Sequence, residues 1–165
     1  MTMDKELEYQ FMSRSLSDIL LDELKYLRSR TGIRVSIILS PSGKILSIHE
    51  DAAYVPNKLR HGPRNQHIDK DYLSKWIVSI SRTIEFVSER LFTEGIKYII
   101  LEGNDKTQAI IVNVKDPDPD VSFILMGLLS KSGSIGLGYQ EMKECSERIK
   151  NILMQYKIYQ QQIGY

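Results

Sequence analysis

The C-terminal part of the chain places a strand, a glycine-rich turn and a helix in direct succession. Residues 122–129 (SFILMGLL) form the nearly continuous apolar run that is typical of a buried strand. Residues 130–138 then carry three glycines, and a helical pattern runs from about Ile135 to Tyr156. No strand follows that helix in the sequence, so a parallel strand–helix–strand crossover is not expected here.

The three glycines do not indicate a nucleotide site. Gly133, Gly136 and Gly138 have the spacing G-x-x-G-x-G, whereas the dinucleotide fingerprint is G-x-G-x-x-G after the first strand of a βαβ unit. The Lys-Ser/Thr pair of a phosphate-binding loop is also missing. The pattern instead favours a tight turn that packs the last helix closely against the sheet.

The rest of the sequence predicts a first helix, a hairpin, a long second helix and two further strands before the C-terminal one. The first helix covers residues 15–31, and the helical pattern of Asp4–Met12 allows it to begin earlier. A Ser-Pro-Ser-Gly turn at 40–43 joins the hairpin strands. The remaining elements are the hairpin strands Arg34–Leu39 and Lys44–Ile48, the helix Tyr72–Glu94, and the strands Ile96–Glu102, Thr107–Val114 and Val121–Leu129.

At 165 residues the chain is expected to form one main domain. We assign residues 15–156 to it, with an N-terminal extension of helical character at 1–14 and a C-terminal tail at 157–165. The stretch 51–70 has few apolar residues and is interpreted as a long loop.

Composition excludes several classes of function. The 22 basic and 21 acidic residues give a net charge of +1, which is unlike the basic footprint of a nucleic-acid-binding protein. One cysteine excludes a disulfide framework, and no apolar run approaches the roughly 20 residues that span a bilayer. The N-terminus lacks the apolar region of a signal peptide. We expect a cytoplasmic protein that neither binds nucleic acid nor inserts into a membrane.

No catalytic, metal-binding or cofactor-binding residues are predicted. Asp116, Asp118 and Asp120 alternate as calcium ligands do, but the glycine and the final glutamate of a calcium loop are missing. The three histidines, His49, His61 and His67, have no recognisable metal-ligand spacing. A G-x-S-x-G nucleophile motif is also absent from the sequence.

The long second helix has an apolar stripe and a mixed opposite face. The stripe recurs at spacings of three and four residues and is expected to cover the sheet: Leu73, Ile77, Ile80, Ile84, Val87 and Leu91. Val78 and Phe86 are expected on the opposite side, among Lys75 and Arg82. Apolar residues on the back of such a helix indicate a contact surface, although scattered exposed apolar residues are also common.

The order of elements, helix, two strands, long helix, three strands and helix, resembles the Roadblock family, named for a dynein light chain. Four segments carry the resemblance over about residues 15–154. They are the opening helix and its turn at Leu20–Arg34, with Thr31-Gly32-Ile33 as the turn, the hairpin Ile37–Ile48, the strand and turn Tyr98–Gly103, and the strand-to-helix turn Leu129–Leu137. The 51–70 loop is longer than is usual for the family, and both terminal extensions are additional.

The resemblance implies an α+β fold in which helices sandwich a five-stranded antiparallel sheet, and a non-enzymatic homodimer or heterodimer with a related Roadblock protein. In the family, the third strands of two subunits pair edge to edge and the second helices lie side by side. Members scaffold or regulate small Ras-like GTPases or attach to dynein, and some prokaryotic members stimulate a partner GTPase without donating an arginine finger.

Two sets of interface residues follow from the resemblance together with the helix pattern. The expected dimer interface is the third strand, Lys97, Tyr98, Ile99, Ile100, Leu101 and Glu102; a hydrophobic edge of this kind risks aggregation unless another chain covers it. The expected surface for the GTPase partner is Lys75, Val78, Arg82 and Phe86.

Two other classes of function remain open from the sequence. A longin-type trafficking module shares the later elements but begins with a strand, so packing of the 15–31 helix on the sheet would disfavour it. A small-molecule-sensing domain of the PAS or GAF type would hold its ligand in a large enclosed pocket.

Overall fold

A five-stranded sheet organises the computed structural model, which describes residues 2–51, 60–61, 67–91, 97–131 and 133–164. Along the chain the described elements are α1 (Lys5–Ser13), α2 (Leu16–Arg30), β1 (Ile33–Leu39), β2 (Ile45–Glu50), β3 (Arg60–His61), β4 (His67–Ile68), α3 (Lys70–Leu91), β5 (Tyr98–Glu102), β6 (Gln108–Val114), β7 (Phe123–Leu129) and α4 (Ile135–Gly164).

The strands of the sheet follow the order β2-β1-β7-β6-β5, and every neighbouring pair is antiparallel. The hairpins β1–β2, β5–β6 and β6–β7 join neighbours directly, and α3 connects the two edge strands. This arrangement confirms the predicted five-stranded antiparallel α+β fold.

The sheet separates two hydrophobic cores. On one face α1, α2 and α4 pack together, and the core there includes Phe11, Leu24, Phe123 and Ile149. On the other face α3 is the one described helix that packs, through Leu73 and Ile77 and their neighbours. The expected sandwich of the sheet between helices is confirmed, with the long helix on one face and the terminal helices on the other. Because α2 precedes β1 and buries its apolar side in the core, the feature expected to disfavour a longin-type module is present.

The N-terminal residues form a separate helix instead of extending the first predicted helix backward. The Asp4 side chain accepts a hydrogen bond from the Glu6 amide and begins α1, whereas the Ser15 side chain accepts from the Asp18 amide and begins α2. Between them Arg14 is extended, with φ −138° and ψ 156°. Two competing caps therefore break the helix at a point where apolar periodicity alone predicts continuity.

The last helix continues to Gly164, beyond its predicted end at Tyr156. The extra turns are covered by α1, since the Phe11 ring lies 5.3 Å from the ring of Tyr156 and 5.5 Å from that of Tyr159, measured between centroids. The N-terminal and C-terminal extensions thus pack against each other. The tail has few apolar residues, and the ring that packs on Tyr159 belongs to Phe11, far away in the sequence. This contact therefore could not be predicted from the tail alone.

Other predicted boundaries also differ. The long helix begins at Lys70 instead of Tyr72 and is described to Leu91, so its predicted end at Glu94 lies outside the described residues. Strand β5 begins at Tyr98, and Lys97 precedes it. The predicted 51–70 loop contains the two-stranded ribbon β3–β4, with His61 opposite His67 in the backbone register, and the start of α3; residues 52–59 and 62–66 lie outside the described part.

The glycines after β7 allow the close packing that the sequence indicates. A Cβ added at Gly138 would lie 3.2 Å from Leu129 Cδ1 and 3.3 Å from Ile110 Cδ1, and one added at Gly133 would lie 2.7 Å from Leu129 Cγ. Gly136 has open space around it. Two of the three glycines therefore admit α4 to the sheet surface, and the third does not contribute to this contact.

None of the helices in the described parts of the chain is long and apolar enough to cross a membrane.

Candidate protein interaction surfaces

Strand β5 forms one edge of the sheet and is expected to pair with another chain. It pairs with β6 on one side, from Tyr98 opposite Val112 to Glu102 opposite Gln108. Among the described strands of this sheet, none lies on its other side. Tyr98 and Ile100 are 43% and 42% exposed, which is high for large apolar residues in a strand.

The hydrogen-bonding phase of β5 shows which of its backbone groups face the open side. The Asn113 amide donates to the Lys97 carbonyl at 3.1 Å, and the Gly103 amide donates to the Thr107 carbonyl at 2.8 Å. Because bonding alternates along an antiparallel pair, the odd-numbered residues bond to β6. The N–H and C=O groups of Tyr98, Ile100 and Glu102 therefore point away from the sheet.

The two faces of β5 hold this edge in place. Ile99 and Leu101 pack against the core on the α3 side. On the other face the Tyr98 ring packs on Tyr139 of α4, with the centroids 4.3 Å apart. The strand is therefore fixed on both faces, and its outward backbone groups, which have no partner among the described strands of the sheet, lie in the plane of the sheet.

The second half of α3 leaves an apolar surface uncovered. Phe86, Val87 and Leu91 are 61%, 47% and 67% exposed, whereas Leu73 and Ile77 in the first half are fully buried. The prediction that the whole stripe covers the sheet is right for the first half and wrong for Val87 and Leu91. A helix of 22 residues is about 33 Å long, and a seven-residue strand extends about 23 Å, so the sheet does not support every turn.

The structure divides the four residues expected to contact a GTPase partner. Lys75, Arg82 and Phe86 are exposed on α3. Val78 is only 8% exposed and belongs to the α3-side core. The expectation that Val78 projects to solvent is wrong because the β1–β2 turn covers it: a Cβ on Gly43 would lie 3.2 Å from Val78 Cγ2. The binding role of the other three stays a prediction.

Glu85 connects α3 to the end of β6 and was not singled out from the sequence. Its Oε1 accepts from Asn113 Nδ2 at 2.8 Å and lies 2.7 Å from Lys115 Nζ. Burial alone would raise the pKa of Glu85, but the hydrogen bonds from Lys115 and Asn113 outweigh it and lower the pKa. Glu85 therefore fixes the helix in the region where its apolar stripe becomes exposed. In the sequence Glu85 stands between the stripe residues Ile84 and Val87, and nothing there indicates its contacts with Asn113 and Lys115. Only the fold reveals this role.

The aspartate loop after β6 is tied to α4 by lysines. Lys150 Nζ lies 3.4 Å from Asp116 Oδ2, and Lys157 pairs with both Asp118 and Asp120. The hydrogen bond from Lys157 is the largest cause of the lowered pKa of Asp118. In the described residues no group of three or more His, Cys, Asp or Glu side chains is placed to hold a metal ion. The alternating carboxylates thus anchor the loop.

The one cysteine is not placed to act as a nucleophile. Cys145 is fully buried, and burial raises the pKa of its thiol to about 12. At neutral pH the thiol is protonated, and the thiolate is the reactive form. Cys145 is therefore a small apolar core residue.

Several solved structures share this arrangement of sheet and helices. MglB solved with a tetrameric arrangement superposes with a TM-score of 0.68 at 14% identity, over 85% of this chain and 91% of that chain. The gliding protein MglB of Thermus thermophilus gives 0.67 at 14% identity, over 85% and 92%. A Roadblock/LC7 domain from Streptomyces avermitilis gives 0.59 at 16% identity, over 79% and 93%.

The chain has the Roadblock fold. The resemblance drawn from the sequence is thereby confirmed at the level of the fold. Neither a family model nor a curated protein sequence matches the chain. In Roadblock terms β5 is the third strand of the sheet domain, and α3 is its second helix.

Proposed function

We propose that this Roadblock-fold protein is a non-catalytic dimeric regulator that binds a small Ras-like GTPase and modulates its nucleotide cycle. The observation that carries the proposal is the open edge of β5 next to the exposed apolar half of α3. One surface supplies unpaired backbone groups, and the other supplies apolar area. A second copy related by a two-fold axis satisfies both at once.

The β5 edge supports the dimeric part of the proposal. Strand Tyr98–Glu102 is short and carries exposed apolar side chains, with no proline or bulge to block pairing. Natural proteins normally protect such an edge. Antiparallel pairing with a second copy extends the five-stranded sheet across the axis, and the exposed side chains Val87 and Leu91 of the two α3 helices then bury one another.

The partner is proposed by analogy with the Roadblock proteins that the sequence resembles. Exposed Lys75, Arg82 and Phe86 lie at helical spacings on α3, so they share one side of the helix. The Arg90 guanidinium stacks on the Phe86 ring, with its Cζ 4.0 Å from the ring centroid. A held aromatic ring beside two cations is a suitable anchor for a protein partner.

Modulation without chemistry is the mechanism that these surfaces favour. A protein that binds one nucleotide-dependent conformation of a GTPase better than the other shifts the population toward that conformation. The shift equals the difference in binding free energy, so it requires no catalytic group from this chain.

The proposal is tested by measuring mass and partner binding on the same preparation. Sedimentation velocity at micromolar concentration is expected to give twice the 19.1 kDa mass of one chain. Immobilised Ras-like GTPases from the source cell, loaded with GDP or a non-hydrolysable GTP analogue, are expected to retain the protein in one nucleotide state.

Phe86→Asp is expected to reduce that retention by at least tenfold, the loss of about 1.4 kcal/mol from a buried anchor. Met12→Asp is the matched control because Met12 is similarly exposed but lies on α1, on the opposite side of the sheet. A monomer at these concentrations would contradict the dimer. Equal retention of both variants would remove Phe86 from the partner surface.

A further inference from the structure

The turn between β1 and β2 encloses a groove against the middle of α3. The Ser74 hydroxyl donates a hydrogen bond to the Gly43 carbonyl, which fixes the turn on the helix. Gly43 has φ +95°, and a Cβ there would lie 3.1 Å from Ser74 Oγ and 3.2 Å from Val78 Cγ2. Because only glycine allows this approach, the turn and the helix form one rigid wall. The groove beside it has a volume of about 360 Å³.

The lining of this groove is suited to an anion. It consists of two cationic side chains, four side-chain hydroxyls, Gly43 and Val78, and it contains no carboxylate; the cations are Lys75 and Arg82, and the hydroxyls belong to Ser42, Ser74, Ser79 and Thr83. Neither cation has an ion-pair partner among the residues that the structure describes. The nearby Glu85 carboxylate contacts Lys115 and Asn113 directly, and the Arg82 charge contributes to its lowered pKa through space without a direct contact.

The distance between the two cations along α3 indicates how long a ligand must be to contact both. Lys75 and Arg82 are seven positions apart, so they lie on one side of α3 about 10.5 Å apart along the axis. An extended chain covers that distance in three to four residues. A peptide with two acidic side chains matches this spacing along the helix, whereas free phosphate or a single carboxylate contacts both cations only if the two long side chains converge on it.

We propose that this groove binds an acidic segment of the partner protein, whose carboxylates accept charge-assisted hydrogen bonds from Arg82 and Lys75. The proposal depends on the proposed function only for the identity of the partner. A nucleic acid is the less suitable ligand, since the groove offers two cations and the whole chain has a net charge of +1. Lys75 and Arg82 thus line one surface, and the buried Val78 between them forms part of its base.

The test uses a probe that does not require the GTPase. A short fluorescein-labelled peptide of alternating glutamate and glycine is titrated with the protein by fluorescence anisotropy at low salt. A peptide with glutamine for glutamate and a single-stranded oligothymidylate of similar length serve as comparison ligands. Saturable binding of the glutamate peptide is expected, with the other two at least about tenfold weaker.

Two matched double variants locate the binding. Lys75→Gln with Arg82→Gln is expected to weaken the glutamate peptide at least about tenfold, since two charge-assisted contacts are lost. Lys5→Gln with Lys25→Gln removes the same charge from exposed helix positions on the other face of the sheet and is expected to leave affinity unchanged. Circular dichroism and sedimentation of each variant report whether fold and mass are kept.

The proposal is overturned if the folded Lys75/Arg82 variant binds as tightly as the wild type. Equal losses in both double variants, absence of saturable binding, or preference for the oligothymidylate also overturn it. These outcomes concern the peptide alone. A monomeric wild type or a failure to retain any GTPase would instead contradict the proposed function and leave the groove result intact.

Discussion

Replacing Ile100 by proline tests whether the outward-facing N–H of this residue bonds to a second chain at the β5 edge. The N–H of Ile100 points to the open side of the sheet, because bonding to β6 uses the odd-numbered residues from Lys97 to Gly103. Proline is tolerated on an edge strand when the missing N–H faces outward. The substitution therefore removes a donor that only a second chain uses.

The magnitude follows from the number of groups at the edge. Tyr98, Ile100 and Glu102 each present one outward N–H, and in a two-fold dimer every loss occurs twice. Two hydrogen bonds at about 0.5–1.5 kcal/mol each amount to about 1–3 kcal/mol. The dimer dissociation constant is expected to rise by about 5- to 160-fold. The proline ring also occupies the space of the hydrogen bond, which favours the upper end of that range.

The assay compares three variants by sedimentation equilibrium, with circular dichroism as the measure of fold. Ile100→Val keeps the N–H and is expected to dimerise as the wild type does. Ile99→Pro removes an N–H that bonds to β6, so it is expected to disrupt the strand itself. Ile100→Pro is expected to resemble the wild type in circular dichroism and to differ from it in mass. A folded Ile100→Pro variant with an unchanged dissociation constant would show that two chains do not pair through this edge.

Two further predictions concern stability and are measured by urea unfolding. Glu85→Gln is expected to lower the free energy of unfolding by about 0.5–1 kcal/mol at pH 7, since a half-exposed lysine ion pair is lost, with exposed Glu89→Gln as the unchanged control. The folded-state pKa of Glu85 is lowered, so its contribution is present above the ordinary glutamate value of about 4.3 and is lost as the pH falls through the folded value; a variant difference that stays constant down to about pH 3 would contradict this. Gly138→Val is expected to cost about 1–3 kcal/mol by overpacking against Leu129, whereas Gly136→Ala, in open space, is expected to stabilise by up to about 1 kcal/mol. Equal effects at the two glycines would refute the close approach of α4 to the sheet.

Local signals were sufficient wherever a residue's structure depends on its neighbours in the sequence. The Ser40–Gly43 turn and the β1–β2 hairpin depend on backbone angles that proline and glycine set locally. Ser15 begins α2 because its side chain reaches an amide three residues ahead. The antiparallel arrangement of the sheet was expected because the order of these elements resembles that of the Roadblock family.

Burial of the α3 residues could not be predicted in the same way. Helical periodicity assigns a side to each residue but does not say where the sheet beneath the helix ends. Val87 and Leu91 continue the apolar stripe and are nevertheless exposed, while Val78 lies off the stripe and is buried by a turn about 35 positions away in the chain.

The sequence by itself determined the identity and order of the five sheet strands and of α2, α3 and α4, because turns, caps and periodicity act over a few residues. Only the tertiary structure decided which surfaces stay open: the outward groups of β5, the exposed end of α3, and the cationic groove beside Gly43. Each of these depends on contacts between segments that are distant in the chain, because a residue is exposed when no distant segment packs over it. The apolar periodicity that predicts α3 is the same in its buried half and in its exposed half.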